Sequence, residues 1–110
     1  MSHPAASAPD ARRHDTFRAF YPFYLSEHAN RTCRRLHFVG SSLVLGVIVL
    51  AITTSNAWWL LLAPVVGYGF AWIGHFGFEK NKPASFKQPL YSFIGDWVMY
   101  WDMLRGRIPF

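Results

Sequence analysis

Histidines are the residues of this sequence whose type and spacing could support metal chemistry. The chain has five of them in 110 residues. His37 lies 19 residues before Asn56, and His75 lies 19 residues after it. If the chain folds back at Asn56, both rings reach the same level, and His28, nine residues before His37, lies on the same side. The sequence therefore predicts three imidazoles at one depth, whereas the other two histidines lie in a polar N-terminal segment and are set aside.

Such a cluster would suit a transition metal. Neutral imidazole is the commonest metal ligand in proteins, and Glu79, four residues after His75, would share its helix face. Histidines with a carboxylate and open positions suit Fe(II), and zinc accepts the same ligands. We predict His28, His37 and His75 as metal ligands, and these three with Glu79 as catalytic residues. The alternatives are packing histidines and, for Glu79, a solvated charge at a helix end.

The composition favours a membrane protein. Hydrophobic residues make up 52% of the chain and charged residues 15%, against about 25% charged in soluble domains. Residues 36–78 contain no Lys, Arg, Asp or Glu, and basic residues lie on both sides of them. This pattern is typical of membrane segments and argues against a nucleic-acid partner. The single cysteine, Cys33, excludes a multi-cysteine metal site and is interpreted as an inert thiol near a helix start.

Two apolar runs predict the elements that would position the histidines. Residues 36–54 would form a helix of roughly 28 Å, close to the thickness of a bilayer core. Residues 57–78 are long enough to return after the polar break at 53–56. Small residues at every fourth position lead to His75 and would let the first helix approach closely; they are Ala63, Gly67 and Ala71. The predicted fold class is all-α, a two-helix transmembrane hairpin with flanking interfacial helices.

The flanking segments complete one domain. Residues 1–14 are predicted to be a disordered tail without a signal peptide, and residues 15–110 a single helical membrane domain. Aromatic residues alternate with arginines ahead of the hairpin, which is typical of an interfacial segment. A C-terminal helix is predicted over 89–105, where Asp96 could hold the second nitrogen of a histidine or pair with an arginine. The basic flanks predict cytoplasmic termini and an integral membrane location.

Two motif blocks resemble the 2-hydroxy fatty acid dioxygenase family, formerly a domain of unknown function with a fungal endoplasmic-reticulum member. The first is FYLSEHANRTCRRLHFVG, residues 23–40, and the second is GHFGFEKNKPA, residues 74–84. The string G-H-x-x-F-E-K-x-x-P-A is the more specific of the two. The chain is similar to a compact bacterial form, because longer members have further membrane segments and a glutamine in place of Ala71.

The resemblance implies an Fe(II)-dependent dioxygenase of fatty-acid α-oxidation. A 2-hydroxy fatty acid would react with O₂, lose its carboxyl carbon and become one carbon shorter. His28, His37 and His75 would be the iron ligands, and a second copy of the chain could add others in a homo-oligomer. The location would be the inner membrane in a bacterium or the endoplasmic reticulum in a eukaryote. Two alternatives stay open, a small membrane scaffold or lipid-binding protein and a zinc-bound hydrolase.

Overall fold

Helices make up the structure, a computed structural model that describes residues 14–82 and 87–110. The elements are α1 (Phe17–Ser26), α2 (Arg31–Thr53), a 3₁₀ turn (Ala57–Leu61), α3 (Leu62–Trp72), a π-helical segment (Ile73–Glu79) and α4 (Pro89–Leu104). The described residues contain no β-strand, so the predicted all-α class is confirmed. All but one of the residues of the predicted disordered tail, 1–14, lie outside the described part of the chain.

Two rods of this fold have the length and composition of membrane spans. They are Arg31–Thr53 and Ala57–Glu79, with 23 residues each. The first rod begins five residues before the predicted boundary at 36 because Asn30 caps it. The Asn30 side chain accepts a hydrogen bond of 3.1 Å from the Cys33 amide, which has no partner within the helix. Cys33 and His37 therefore lie one turn apart on the same helix.

The polar break between the rods is a tight helix end. The Asn56 amide donates to the Ala51 carbonyl at 2.9 Å, and the Ser55 amide donates to the Ile52 carbonyl at 3.1 Å. This is the pairing of a Schellman motif, which requires a left-handed residue. Ser55 takes that conformation with φ of 52°. The chain reverses here, so α3 returns along α2.

Small residues let α2 and α3 approach closely. A methyl group added at Gly40 would lie 2.9 Å from the Phe70 Cβ, and one added at Gly67 would lie 3.2 Å from a Val44 methyl. Neither position has room for a larger side chain without a shift of its neighbour. The small-residue ridge that includes Gly67 therefore faces α2, as the spacing predicts.

Helices α1 and α4 pack together beside the two rods. Their shared core consists of Phe20, Phe23, Tyr24, Met99 and Met103. The Tyr21 hydroxyl donates to the Asp102 carboxylate at 2.9 Å, and Asp102 also forms an ion pair with Arg105 at 2.8 Å. A hydrogen bond of 2.9 Å between the Ser42 and Tyr100 hydroxyls joins α4 to α2. These contacts place one face of α4 opposite the histidines.

Candidate metal centre

Three imidazole rings meet in the interior, where the four-residue link before α2, the helix α2 and the π-helical segment come together. The His28 Nε2 lies 3.0 Å from the His37 Nε2 and 3.0 Å from the His75 Nε2. The rings of His37 and His75 have centroids 5.0 Å apart. All three side chains are buried, with exposed fractions of 6% or less. The structure thus brings together all three histidines named as ligands from the sequence.

The π-helical segment positions His75. Its wide turn ends where the Lys80 amide donates to the His75 carbonyl, five residues back, and Lys80 is left-handed with φ of 61°. That conformation returns Asn81 toward His75, whose carbonyl also accepts from the Asn81 amide at 3.0 Å. Single π-helical turns of this kind are frequently found at functional sites.

Gly74 lets this segment reach α2. A methyl group added at Gly74 would lie 2.9 Å from the Cys33 Sγ and 3.2 Å from the Cys33 Cα. Since the Cys33 backbone belongs to a helix and its side chain is buried, little can move aside. The absence of a side chain at Gly74 therefore permits the contact that brings His75 to His37.

The second nitrogen of each ring determines its tautomer. The His28 Nδ1 lies 2.7 Å from the Tyr24 carbonyl, and the His37 Nδ1 lies 2.9 Å from the Cys33 carbonyl. The His75 Nδ1 lies 2.7 Å from the Asn81 Oδ1, whose orientation is fixed because the Asn81 amide nitrogen donates to the Glu27 carbonyl at 3.2 Å. Each acceptor is an oxygen, so each Nδ1 carries the proton in the neutral ring. All three Nε2 lone pairs therefore point toward one another.

Converging lone pairs without a proton between them call for a cation. Two nitrogens about 2.1 Å from one metal are about 3.0 Å apart at a right angle and about 3.4 Å apart at a tetrahedral angle. The two Nε2 separations of 3.0 Å, both of which involve His28, correspond to the first case. The donor set and its spacing thus fit a transition metal with positions left open for other ligands.

Cys33 lies beside the three histidines, although its place in the sequence indicated an inert thiol. One ligand atom from each of His28, Cys33, His37 and His75 can be chosen so that all lie within 4.8 Å of one another. The Cys33 Sγ lies 3.7 Å from the His37 Nδ1, the nitrogen that faces away from the shared Nε2 atoms. The signal in the sequence was its i, i+4 spacing from His37, which the predicted helix start at residue 36 concealed.

Two carboxylates have partners other than those considered from the sequence. Glu79 accepts a hydrogen bond from the Asn30 amide and is not in the group of converging ligands, so it joins the π-helical segment to the start of α2. Its catalytic role stays a prediction. Asp96 accepts a hydrogen bond from the Tyr24 hydroxyl, and no histidine or arginine among the described residues donates to it. Asn81, which was not predicted from the sequence, accepts a hydrogen bond from the Nδ1 of His75.

Two adjoining cavities open beside the cluster. The smaller, here the histidine pocket, has a volume of about 20 Å³ and is lined by all three histidines, which is room for about one water-sized molecule. The larger, here the apolar cavity, has about 320 Å³ and runs between α2 and α3, past Val44, Ala63 and Gly67. Five residues line both cavities, namely His37, Tyr68, Ala71, Phe93 and Asp96. A ligand could therefore extend from the histidines into the apolar cavity.

Comparison with known families identifies the family of the chain. The profile described as 2-hydroxy-palmitic acid dioxygenase Mpo1-like matches residues 14–108. The chain belongs to the Mpo1-like family. No curated protein and no solved structure matches it. The match includes every residue of the histidine cluster, and it confirms the family that the two motif blocks resemble.

Burial shifts the pKa values of three residues of this Mpo1-like site that lie outside the two rods. It lowers the pKa of His28 well below its ordinary value, so this ring stays neutral and able to bind a metal. Burial, with the nearby Asp96 charge, raises the pKa of Tyr24 well above its ordinary value. Burial also raises the pKa of Asp96 to about 6. Burial in this site thus favours the neutral form of each of these side chains.

Three arginines near the site of the Mpo1-like chain are engaged elsewhere. The Nε atoms of Arg31 and Arg35 donate to the Phe110 carbonyl at 2.7 and 2.9 Å. Arg34 donates to the His28 and Ala29 carbonyls at 3.2 and 2.9 Å. None of the three is among the described residues that line the two cavities. Their positions favour an anchoring role over capture of a substrate carboxylate.

Proposed function

We propose that this chain is a membrane-embedded, Fe(II)-dependent dioxygenase that acts on 2-hydroxy fatty acids. The observation that carries the proposal is the set of three converging Nε2 lone pairs, of which that of His37 belongs to a residue that also lines an apolar cavity. The family supports it, because its description names a dioxygenase of 2-hydroxy-palmitic acid. The products would be those of α-oxidation, with a chain one carbon shorter.

Exposed apolar side chains support the membrane location. Ile52 of α2 is 71% exposed and Val65 of α3 is 68% exposed. In the most apolar 18-residue stretch of the second rod, only 6% of the residues are buried. The core helix of a soluble protein would be mostly buried. Apolar surface of this extent is unfavourable in water and is matched by lipid. With basic residues on the histidine side, the positive-inside rule directs the cluster and both termini to the cytoplasmic face.

The three histidines would hold the iron, which supplies the activation of dioxygen when bound. The Tyr24 and Cys33 carbonyls and the Asn81 side chain would orient the rings, as such outer partners do in known metal sites. The apolar cavity would hold the acyl chain and exclude water. Its volume of about 320 Å³ lies within the range of small-molecule sites. His37 and Asp96 line both cavities, so the polar end of the substrate would lie at their junction.

Metal content and oxygen consumption test the proposal. Protein purified without oxygen into lipid nanodiscs is expected to carry iron and to consume O₂ with 2-hydroxypalmitate, giving a C15 product. His37→Ala and His75→Ala are each expected to lose both the iron and the activity. His14→Ala is the matched control, because this ring stacks on Phe23 with centroids 5.3 Å apart and is not in the group of converging ligands. Stoichiometric iron after either change in the cluster would contradict the assigned ligands.

The same measurements distinguish the alternatives. A zinc-bound hydrolase, which the nearby Cys33 thiol favours, would carry zinc and consume no O₂. A scaffold or lipid-binding protein would purify without metal, and its histidine variants would alter stability only. Mass measurement of the intact particle would show whether a second copy accompanies the site.

A further inference from the structure

One face of α4 presents two polar side chains to the histidine pocket. Ser92 and Asp96 are one helical turn apart, and both line the pocket with the three histidines. Neither is explained by the proposed metal centre, because neither contacts a ring nitrogen through the hydrogen bonds of the described residues. Both lie in a wall that is otherwise rich in aromatic and small apolar side chains.

Each of these side chains has unused hydrogen-bonding capacity. The Ser92 residue is 4% exposed, and its Oγ has no hydrogen-bond partner among the described residues. Asp96 accepts through Oδ1 from the Tyr24 hydroxyl, and Oδ2 has no such bond within the described part of the chain. A buried hydroxyl without a partner costs about 1–3 kcal/mol, so its retention beside a cavity indicates a polar ligand.

The chemistry of the two groups selects parts of that ligand. A carboxylate oxygen accepts hydrogen bonds and repels another carboxylate, so Asp96 requires a donor such as an alcohol. A serine hydroxyl can donate to a carboxylate oxygen. No lysine or arginine is found among the described residues that line either cavity, so hydroxyl groups and the metal are left to bind the polar end of a substrate.

We propose that Asp96 accepts a hydrogen bond from the 2-hydroxyl group of the substrate and that Ser92 donates one to its carboxylate. The inference rests on the proposed function, because it takes a 2-hydroxy fatty acid as the ligand. Asp96 is then a substrate-binding residue that selects hydroxylated over plain fatty acids. Its place at the junction of the two cavities puts the 2-hydroxyl between the histidines and the acyl chain.

Binding without turnover tests the role of Asp96. Iron-loaded protein in nanodiscs under nitrogen is titrated with 2-hydroxypalmitate and with palmitate, each displacing a fluorescent fatty acid. The measured quantity is the ratio of the two dissociation constants, which expresses the preference for the hydroxyl group. Asp96→Leu is expected to reduce this ratio about tenfold while changing the affinity for palmitate less than twofold. Ser92→Ala is expected to weaken the binding of both fatty acids by a similar factor, because both have the carboxylate.

Two controls separate this role from a structural one. Tyr24→Phe removes the hydrogen bond between α1 and Asp96 but keeps the ring, and it is expected to preserve the ratio. Asp102→Leu removes the other carboxylate of α4 that accepts from a tyrosine and is also expected to preserve it. If Asp96→Leu does not fold, Asp96→Asn replaces it, with an expected reduction of about threefold because a hydrogen bond to a neutral acceptor is weaker.

Three outcomes overturn the inference. An unchanged ratio in the Asp96 variant would show that this carboxylate does not bind the hydroxyl group. An equal reduction of the ratio in Tyr24→Phe would show that Asp96 acts only through the packing of α1. Wild-type protein without any preference would overturn the inference together with the substrate class, whereas a preference retained by Asp96→Leu would leave the substrate class intact.

Discussion

At the scale of single residues, Asn81 is the side chain whose removal should weaken metal binding without touching the metal. Its Oδ1 accepts from the His75 Nδ1, which fixes the tautomer and ring orientation. Asn81→Leu is expected to raise the dissociation constant for zinc about 10- to 100-fold, as loss of such partners does elsewhere. Competition with a chelator measures it. Asn81→Asp should keep most of the affinity, and Asn56→Leu, at the far turn, should keep all of it.

Asp96 gives the fold a pH dependence. Its pKa of about 6 exceeds the ordinary value of about 3.9. Such a carboxyl stabilises the fold below the unfolded-state pKa, and this stability is lost as the pH rises through the folded-state pKa. Asp96→Asn is therefore expected to raise the free energy of unfolding of metal-free protein by about 3 kcal/mol at pH 8 and to change it little at pH 4. Denaturant titration measures both values, and equal effects at the two pH values would contradict the expectation.

Which residues of the site could be predicted depended on the regularity of the chain around them. The convergence of His37 and His75 follows from their equal distance to Asn56, because two straight helices joined by a turn preserve depth. Asn81 could not be found this way, since it returns to His75 through a π-helical turn and a left-handed residue. Cys33 was missed because the apolar run marks the exposed, apolar part of α2 and not its capped start. Neither the π-helical turn nor the capped helix start produces a periodic hydropathy pattern, so neither could be predicted from the sequence.

At the scale of elements, the contact between the π-helical segment and α2 should decide whether the cluster forms. Gly74→Ala would place a methyl group 2.9 Å from the Cys33 Sγ, and forced contacts of this kind cost about 1–3 kcal/mol. We expect lower thermal stability and reduced metal content. Gly77→Ala in the same segment is the matched control, because a methyl group there meets nothing within 4 Å. Equal metal content in the two variants would show that the close approach is not required.

The extent of each helix was the less predictable part of the fold. The two rods follow from length and hydropathy alone, and α4 ends at Leu104, one residue before the predicted position. Pro22 lies inside α1, which nevertheless continues from Phe17 to Ser26. Aromatic packing against α4 accounts for this, since burial of Phe20, Phe23 and Tyr24 can offset the one backbone hydrogen bond that proline removes.

At the scale of the whole molecule, the proposed topology puts the turn of the hairpin, at Ser55, and its open end, near Lys82, on opposite sides of the membrane. Cysteines introduced one at a time at the exposed positions Ser55 and Lys82 should react with an impermeant thiol reagent from opposite sides. The parent chain supplies the background, which should be low because Cys33 has an exposed fraction of 0%. Labelling of both positions from the same side of intact cells or vesicles would contradict a hairpin that crosses the bilayer.

The apolar cavity also has a practical consequence for work outside the membrane. If the space between α2 and α3 holds an acyl chain as proposed, it cannot distinguish that chain from the alkyl tail of a solubilising detergent, because both are unbranched chains recognised by burial alone. Detergents such as alkyl maltosides should therefore act as competitive inhibitors, and an extract could be taken for inactive although its metal is intact. Amphiphiles with rigid steroid bodies lack such an alkyl tail and should leave the proposed activity measurable.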